Sequence, residues 1–290
     1  MRQVIRDNIG MILAAHMVML TAPVLVHAEG NHNFINFTEP LKTERGELAP
    51  IGPDASYLSD ADACAIATRE WGWAGCTTLD KIAVDIGPGV GTILLRKPVS
   101  DGYVKLDDFV GDSARAEIDQ IARDLKESLA AQSKQTGRKI EFTGWRLYPT
   151  ADRQRNLIYY ALDMSWDGDP QTAIRVMLLD RYGFIEMEVL PSADNLGAQQ
   201  IAAVIDTVIS AYRPKAQASY SNFQSGDKVA AYGGLGVLAT VLGVKYGKAA
   251  SAGLIAVVLI LLKKVWFIVL LPFVALGGLF KRLFGRKAGA

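Results

Sequence analysis

The sequence predicts an α+β fold in which two helices cover an antiparallel sheet, followed by a C-terminal helical membrane anchor. Three observations lead to this class. Short segments of alternating apolar and polar residues are separated by tight turns, which is typical of antiparallel strands. Two longer segments repeat apolar residues at steps of three and four, which is typical of amphipathic helices. Residues 229–280 then contain three long apolar runs, which favours membrane insertion.

Composition and charge separate the chain into two parts. Half of the 290 residues are hydrophobic and 21% are charged, which is apolar for a soluble domain and polar for a multi-span transporter. Nine of the 31 basic residues and none of the 30 acidic residues follow Asp227, so 22 basic residues stand against 30 acidic ones in residues 1–227. This acidic body argues against nucleic-acid binding, which needs clustered Lys and Arg.

The N-terminal residues 1–28 match a secretory signal peptide. Arg2 and Arg6 precede an apolar stretch that ends in Val26-His27-Ala28, and these last residues fit a signal-peptidase site. The pattern predicts cleavage after Ala28 and a mature chain that starts at Glu29. An uncleaved anchor is the alternative.

An irregular arm and a short helix are predicted next. Residues 29–56 are rich in Asn, Glu, Gly and Pro and show no sustained period, which predicts irregular structure. Ser59-Asp60 can cap a short helix that runs to about Arg69. A turn containing Trp71-Gly72-Trp73 follows, and the exported domain as a whole is predicted over residues 57–212.

The centre of this domain alternates strands and helices. Residues 82–86 and 90–95 predict two strands joined at Pro88-Gly89, and a helix from Asp112 or Ser113 is expected to stop at Gly137. Four further strands are predicted at 140–148, 156–165, 172–180 and 183–190. The last two form a hairpin through Arg181-Tyr182.

A last helix, capped by Ser192, ends before Pro214. The resulting order is ββαββββα, and it resembles the small sandwich of the PsbP and Mog1 type. Residues 213–227 are polar and predict a linker to the membrane.

The C-terminal region 228–282 is predicted to be helical and transmembrane. Its apolar runs cover 229–244, 249–262 and 265–280, with lysines between them that can reach the interface. The basic residues 283–290 predict a cytoplasmic tail by the positive-inside rule. An exported body and a cytoplasmic end require an odd number of crossings, and one span or three spans both satisfy this condition.

Small residues recur every four positions in this region, at Ala239, Gly243, Gly247 and Ser251. Such a stripe lets two helices approach closely, so it predicts helix packing within or between chains. Self-association through the membrane helices is therefore expected.

Few residues in the sequence are suited to chemistry. Once the signal is removed, His32 is the remaining histidine, which argues against imidazole-based catalysis and against a histidine zinc site. Cys64 and Cys76 are 12 residues apart, so a structural disulfide is favoured over two unpaired thiols. We expect no cofactor and no metal.

Acidic residues cluster in two loops, at Asp107, Asp108 and Asp112 and at Asp167 and Asp169. Calcium binding and carboxylate catalysis both use such groups, but each needs a spacing that the sequence does not fix. Turn and helix-cap roles are the favoured interpretation.

Several blocks of the chain resemble the bacterial membrane-anchored family called domain of unknown function 2167. The blocks are Asp101-Gly102-Tyr103-Val104-Lys105, Asp107-Asp108, Gly144-Trp145, Asp227-Lys228-Val229-Ala230-Ala231-Tyr232-Gly233, Lys263-Lys264 and Leu283-Phe284-Gly285-Arg286-Lys287. The resemblance covers residues 60–287 and implies export and anchoring, but it implies no reaction.

These observations lead to two hypotheses of function. The first is a non-enzymatic binding or scaffold module at the bacterial inner membrane, with its main domain outside the cytoplasm and its C-terminus inside. Its expected partners are the lipid bilayer and an envelope protein or ligand, and not nucleic acid. The alternative is a carboxylate-dependent hydrolase that acts on envelope polymers through Asp107 and Asp108.

Overall fold

An antiparallel sheet forms the centre of the folded chain. The computed structural model describes residues 33–71, 73, 75–193 and 195–246, and all structural statements below concern these residues. Several predictions fall on residues outside these ranges: the signal peptide with Ala28 and Glu29, His32, the runs 249–262 and 265–280, and the tail 283–290. Eleven strands are described: β1 Phe34–Asn36, β2 Leu41–Lys42, β3 Gly46–Leu48, β4 Ser56–Leu58, β5 Leu79–Gly87, β6 Val90–Arg96, β7 Ile140–Asp152, β8 Leu157–Trp166, β9 Asp169–Asp180, β10 Gly183–Pro191 and β11 Tyr212–Pro214.

The strands form two sheets. The larger has the order β1-β4-β5-β6-β10-β9-β8-β7, and the smaller has the order β11-β3-β2. Every pair within them is antiparallel. The mixed α+β architecture with an antiparallel sheet agrees with the prediction.

Four α-helices pack around the sheets in the described chain: α1 Asp60–Ala65, α2 Gly111–Thr136, α3 Ala198–Ala211 and α4 Gly234–Val241. The apolar stripe of α3 packs on one face of the large sheet, against alternate residues of β6, β9 and β10 such as Ile93, Val176 and Met187. Helix α2 lies on the opposite face, where Lys126 contacts the ring of Phe142 on β7. Helix α2 ends as predicted, because Gly137 adopts φ 71° and its N–H bonds Ser133.

The predicted irregular arm is instead paired. Strand β1 pairs with β4, and β3 pairs with both β2 and β11. Each of these strands has two or three residues, which is too short for an alternation of apolar and polar residues to be recognised in the sequence. Neighbouring strands supply the hydrogen bonds that such short segments need.

Helix α1 begins where the sequence predicts. The Ser59 hydroxyl accepts a hydrogen bond from the Asp62 N–H at 3.1 Å, and a π-helical turn, Ile66–Glu70, extends α1. The chain then returns, and Cys64 and Cys76 form a disulfide with Cα atoms 5.3 Å apart. The bridge closes the loop that carries Trp71 and Trp73.

The predicted Ser192 cap of the last helix is wrong. Helix α3 begins after Gly197, whose N–H donates to the Gln200 side chain at 2.9 Å. The serine follows β10 directly, and its N–H donates to Gly89 C=O at 3.1 Å. The serine is therefore part of the strand-end loop.

The predicted linker and the first apolar run are also folded against the domain. Residues 213–227 contain two 3-10 turns, and Lys215 N–H donates to Arg45 C=O at 2.8 Å. The apolar run 229–244 forms the short helix α4, in which Val237, Leu238 and Ala239 are fully buried. Among the described residues, no helix has the length and apolar character needed to cross a bilayer.

We expect the Cys64–Cys76 bridge to stabilise the domain without determining its fold. The Cys64→Ala, Cys76→Ala double mutant should fold with a lower melting temperature, because closing a loop this short contributes about 3 kcal/mol in the chain-entropy model. Circular dichroism of the full chain measures the shift. Alkylation of the wild-type protein without reductant should add no alkyl group, and two added groups would contradict the prediction.

Candidate functional site

Two segments that are far apart in sequence lie side by side. Residues 101–108 connect β6 to α2, and residues 227–241 lead out of the domain through α4; we call the contact between them the junction. Tyr103 and Val229 form a parallel bridge. Three backbone hydrogen bonds join the segments: Tyr103 N–H to Lys228 C=O at 2.8 Å, Ala230 N–H to Tyr103 C=O at 2.9 Å and Gly234 N–H to Lys105 C=O at 3.0 Å.

The Asp108 carboxylate caps α4. It accepts hydrogen bonds from Gly234 N–H at 2.8 Å and from Leu235 N–H at 3.3 Å. A carboxylate at this position also interacts favourably with the positive end of the helix dipole. A Cβ atom on Gly233 would lie 2.5 Å from the Asp108 carboxyl group, so glycine is required for this approach.

Side-chain pairs reinforce the junction. The Arg181 guanidinium donates two hydrogen bonds to Asp227, both at 2.7 Å. These bonds hold the pKa of Asp227 below its ordinary value, and a hydrogen bond from the Gln224 N–H adds a smaller effect in the same direction. The Tyr232 hydroxyl donates to Asp101 at 2.6 Å, and burial, with this carboxylate, raises the pKa of Tyr232.

Aromatic rings pack beside these polar contacts. The Tyr103 ring lies between those of Tyr220 and Phe223, with centroid distances of 4.3 Å and 4.2 Å. The Tyr220 hydroxyl donates to Val104 C=O at 2.7 Å. The polar residues before Asp227 are thereby attached to the same loop as α4.

A second unusual feature is a group of charges inside the sheet. The buried ionic cluster consists of Arg96 on β6, Arg175 on β9, and Glu186 and Glu188 on β10. Arg175 is 0% exposed and donates to both glutamates, at 2.8 Å to Glu188. Arg96 donates to the other oxygen of Glu188 at 3.2 Å. Two positive and two negative charges therefore balance.

Burial would by itself lower the pKa of the Arg175 guanidinium. Glu188 and Glu186 outweigh that effect, and the pKa of Arg175 is raised. Next to this pair, Tyr160 on β8 is fully buried, and burial raises the pKa of its phenol. Arg175 is thus held charged, and Tyr160 is held neutral, at physiological pH.

Tryptophans cover the cluster. The Arg96 guanidinium lies over the Trp73 ring, 4.1 Å from its centroid, and Trp71 packs 5.8 Å from Trp73. The disulfide closes the loop that carries both rings. Among the described residues, no hydrogen-bond partner reaches Trp73 Nε1, Arg96 Nε, Arg175 Nε or the Tyr160 hydroxyl. The cluster is thus a desolvated polar site under an aromatic cover.

A family comparison places the junction and the cluster in context. The model described as "Protein of unknown function (DUF2167)" matches residues 39–274, which include both sides of the junction and the whole ionic cluster. The chain belongs to this family. Three of the blocks that carried the resemblance in the sequence, residues 101–105, 107–108 and 227–233, lie on the two sides of the junction in this DUF2167 protein.

Among solved structures, the DUF2167 chain is similar to the solution structure of cyanobacterial PsbP (CyanoP) from Synechocystis sp. PCC 6803. The match covers 64% of this chain and 99% of that chain, at 12% identity and a TM-score of 0.33. A comparison with curated proteins gives no match.

The structure separates the acidic residues that the sequence suggested as candidates. Asp108 is bound to the start of α4, and Asp112 lies in the first turn of α2. Asp167 occupies a turn with φ 52° and accepts from Lys139 N–H at 2.7 Å. Within the described part of the chain, no group of three or more metal-binding side chains is found.

The stripe of small residues does not form one helical face at its start. Ala239 lies in α4, but Gly243 has φ 67° and follows the end of the helix. Val244 N–H bonds Ala239 C=O and Gly243 N–H bonds Thr240 C=O, which is a Schellman cap. Gly247 and Ser251 lie outside the described residues.

The ionic cluster was not predicted from the sequence. Its members alternate with apolar residues and therefore match the pattern of a strand with one solvent-facing side. The hairpin offers one signal, because pairing Asp180 with Gly183 across the turn also pairs Arg175 with Glu188. That opposite charges face each other was predictable, but the Trp73 ring that covers Arg96 comes from a separate segment of the chain.

We expect Glu188→Gln to lower the free energy of unfolding by about 3 kcal/mol, because removing one member of a buried ion pair leaves the other charge uncompensated. Urea unfolding of the full chain, followed by circular dichroism, measures this loss. The matched control is Glu127→Gln on the exposed side of α2. Equal stability of the two variants would show that the cluster does not hold the sheet together.

The stabilisation from the Arg181–Asp227 ion pair should depend on pH. The folded pKa of Asp227 lies below the usual aspartate value of 3.8, so this stabilisation is complete well above that value and is lost as the pH falls through the folded pKa. Asp227→Asn should therefore melt at a lower temperature than wild type at pH 7, and the gap should close below pH 3.8. Asp54→Asn, at an exposed position, serves as the control. A gap that persists unchanged at low pH would contradict the ionic role of Asp227.

Proposed function

We propose that this chain is a non-enzymatic binding or scaffold module that lies outside the cytoplasm and is held at the bacterial inner membrane by the residues after Tyr246. The observation that carries the proposal is the junction. It attaches residues 227–241, which we call the exit segment, to the domain through the Asp108 cap, the Arg181–Asp227 pair and three backbone hydrogen bonds.

An exit segment that is attached to the domain suits a module whose role depends on its position at the membrane. A flexible linker would let the domain sample many distances and orientations relative to its anchor. In this chain the residues 213–246 contact the domain at several points, and they belong to the same compact unit up to Tyr246. The sequence then continues directly into the apolar run at 249–262.

Three further features support export. Residues 1–28 have the pattern of a signal peptide, and the basic residues after Asp227 favour a cytoplasmic C-terminus. The Cys64–Cys76 disulfide is of the kind that persists in an oxidising compartment. Export and anchoring are also what the family resemblance implies.

The contacts of Asp108 support a non-enzymatic role. The hydrolase alternative would use Asp107 and Asp108 as its carboxylates, but both oxygens of Asp108 already accept backbone hydrogen bonds from α4. A carboxylate engaged in this way stabilises the folded domain.

The topology follows from the proposal. A phosphatase reporter fused after Asp227 should be active, because that enzyme folds only outside the cytoplasm, while a fluorescent protein fused after Ala290 should fluoresce inside. N-terminal sequencing of the membrane-bound chain should start at Glu29. The reverse pattern of reporter activity would overturn the proposed location.

Chemical cross-linking in the same strain tests the binding role. The wild-type chain should recover one envelope component reproducibly, and Asp107→Ala should recover it equally, because Asp107 lies in an exposed turn. Hydrolysis of an envelope polymer by the purified chain, lost in Asp107→Ala, would instead establish the enzymatic alternative and overturn the non-enzymatic role.

A further inference from the structure

A surface pocket opens beside the junction, at the tip of the β9–β10 hairpin. It has a volume of about 250 Å³ and is formed where four parts of the chain meet. These are the β2–β3 turn, the loop after β6, the hairpin turn and the start of the exit segment. Its lining residues are Arg45, Ser100, Gly102, Arg181, Tyr182 and Lys228.

Asp180 and Ser100 hold the Arg45 guanidinium in place. Its Nη1 donates to both carboxylate oxygens of Asp180, at 2.8 Å and 2.7 Å, and its Nη2 donates to the Ser100 hydroxyl. Arg45 is 7% exposed and Asp180 is 1% exposed. Since the Ser100 oxygen accepts from Arg45, its own proton is directed elsewhere and can be donated to a bound group.

Arg181 presents a second fixed guanidinium. Its Nε and Nη2 are bonded to Asp227, which leaves the Nη1 edge without a partner among the described residues. The Tyr182 ring lies between the two arginines, 5.6 Å from the Arg45 guanidinium carbon and 5.5 Å from that of Arg181. This ring is 40% exposed and gives the pocket an apolar wall.

The charges of the pocket do not cancel. Asp180 and Asp227 balance the two arginines, but the Lys228 side chain is exposed, and its ammonium group makes no ion pair or hydrogen bond within the part of the chain that the structure describes. One positive charge therefore remains. The donors that stay available, from Arg181, Lys228 and Ser100, belong to three separate segments that line the same pocket.

We propose that this pocket binds a phosphate group carried by a small molecule or a lipid headgroup. A tetrahedral anion with several oxygens matches donors that come from separate segments of one pocket, and arginine and lysine are common phosphate ligands. The guanidinium groups are already oriented by Asp180 and Asp227, so little side-chain freedom is lost on binding. The exposed Tyr182 ring provides contact for the glycerol or sugar part next to the phosphate.

The Gly102 backbone adds a steric requirement. This residue has φ 116°, and a Cβ atom there would lie 2.7 Å from Lys228 C=O. Only glycine lets the loop come so close to the exit segment. The placement of Lys228 at the pocket thus depends on the backbone contact of the junction, and the proposal does not depend on the membrane topology.

Phosphorus NMR of the full chain in a phosphorus-free detergent tests the proposal. Three probes are compared: inorganic phosphate, glycerophosphoglycerol and a short-chain phosphatidylglycerol. Lys228→Gln should weaken binding at least about tenfold, since it removes a charge-assisted hydrogen bond. Lys134→Gln, an exposed lysine of α2, is the matched control and should bind as wild type does.

The probes also separate the sources of the phosphate. Binding of all three probes would support recognition of the phosphate alone, and binding of the short-chain lipid alone would support a headgroup that needs its acyl part. Ser100→Ala, which keeps the arginines paired, should weaken the same probe. Absence of binding by every probe, or equal affinity of Lys228→Gln and Lys134→Gln, would overturn the proposal.

Discussion

The burial of the Arg175 guanidinium is the constraint on which the rest of the sheet depends. A charge in the protein interior is tolerated only where opposite charges and hydrogen bonds replace water, and Glu186 and Glu188 do so from the next strand. A slip of one residue between β9 and β10 would turn Arg175 toward the apolar face that α3 covers. The ion pairs therefore fix the register of the central strands. The loop closed by the disulfide places Trp73 over Arg96, at the side of the same cluster.

The junction fixes the C-terminal end of the described domain. Helix α4 has eight residues and is too short to be stable by itself. It is stabilised by the Asp108 carboxylate at its start, by the buried side chains Val237 and Leu238, and by the left-handed Gly243 at its end. The ionic cluster orders the centre of the sheet, and the junction attaches the last described part of the chain to it.

The long helices and strands were predictable from the sequence. The strands of two or three residues and the contacts between distant segments were not. Helix α2 was predictable because Ile118, Leu125 and Gly137 combine a period with a stop signal, and the β9–β10 hairpin because its turn lies between two long strands. Strands of two or three residues carry no period. The apolar run 229–244 matched a membrane segment, since burial in protein and burial in lipid select the same side chains. The cap by Asp108 joins positions that local spacing cannot connect.

The cap by Asp108 also sets an order of events during synthesis. It spans 126 residues from the carboxylate to Gly234, so the sheet and α2 are already complete in the growing chain before their last helix exists. Contacts with such a long separation form late and slowly. Until Gly234 arrives, Leu106, Phe109 and Ile158, which surround it in the finished domain, are uncovered. The domain therefore reaches its final packing only after residues 227–241 have been made, which ties completion of the fold to the far end of the described chain.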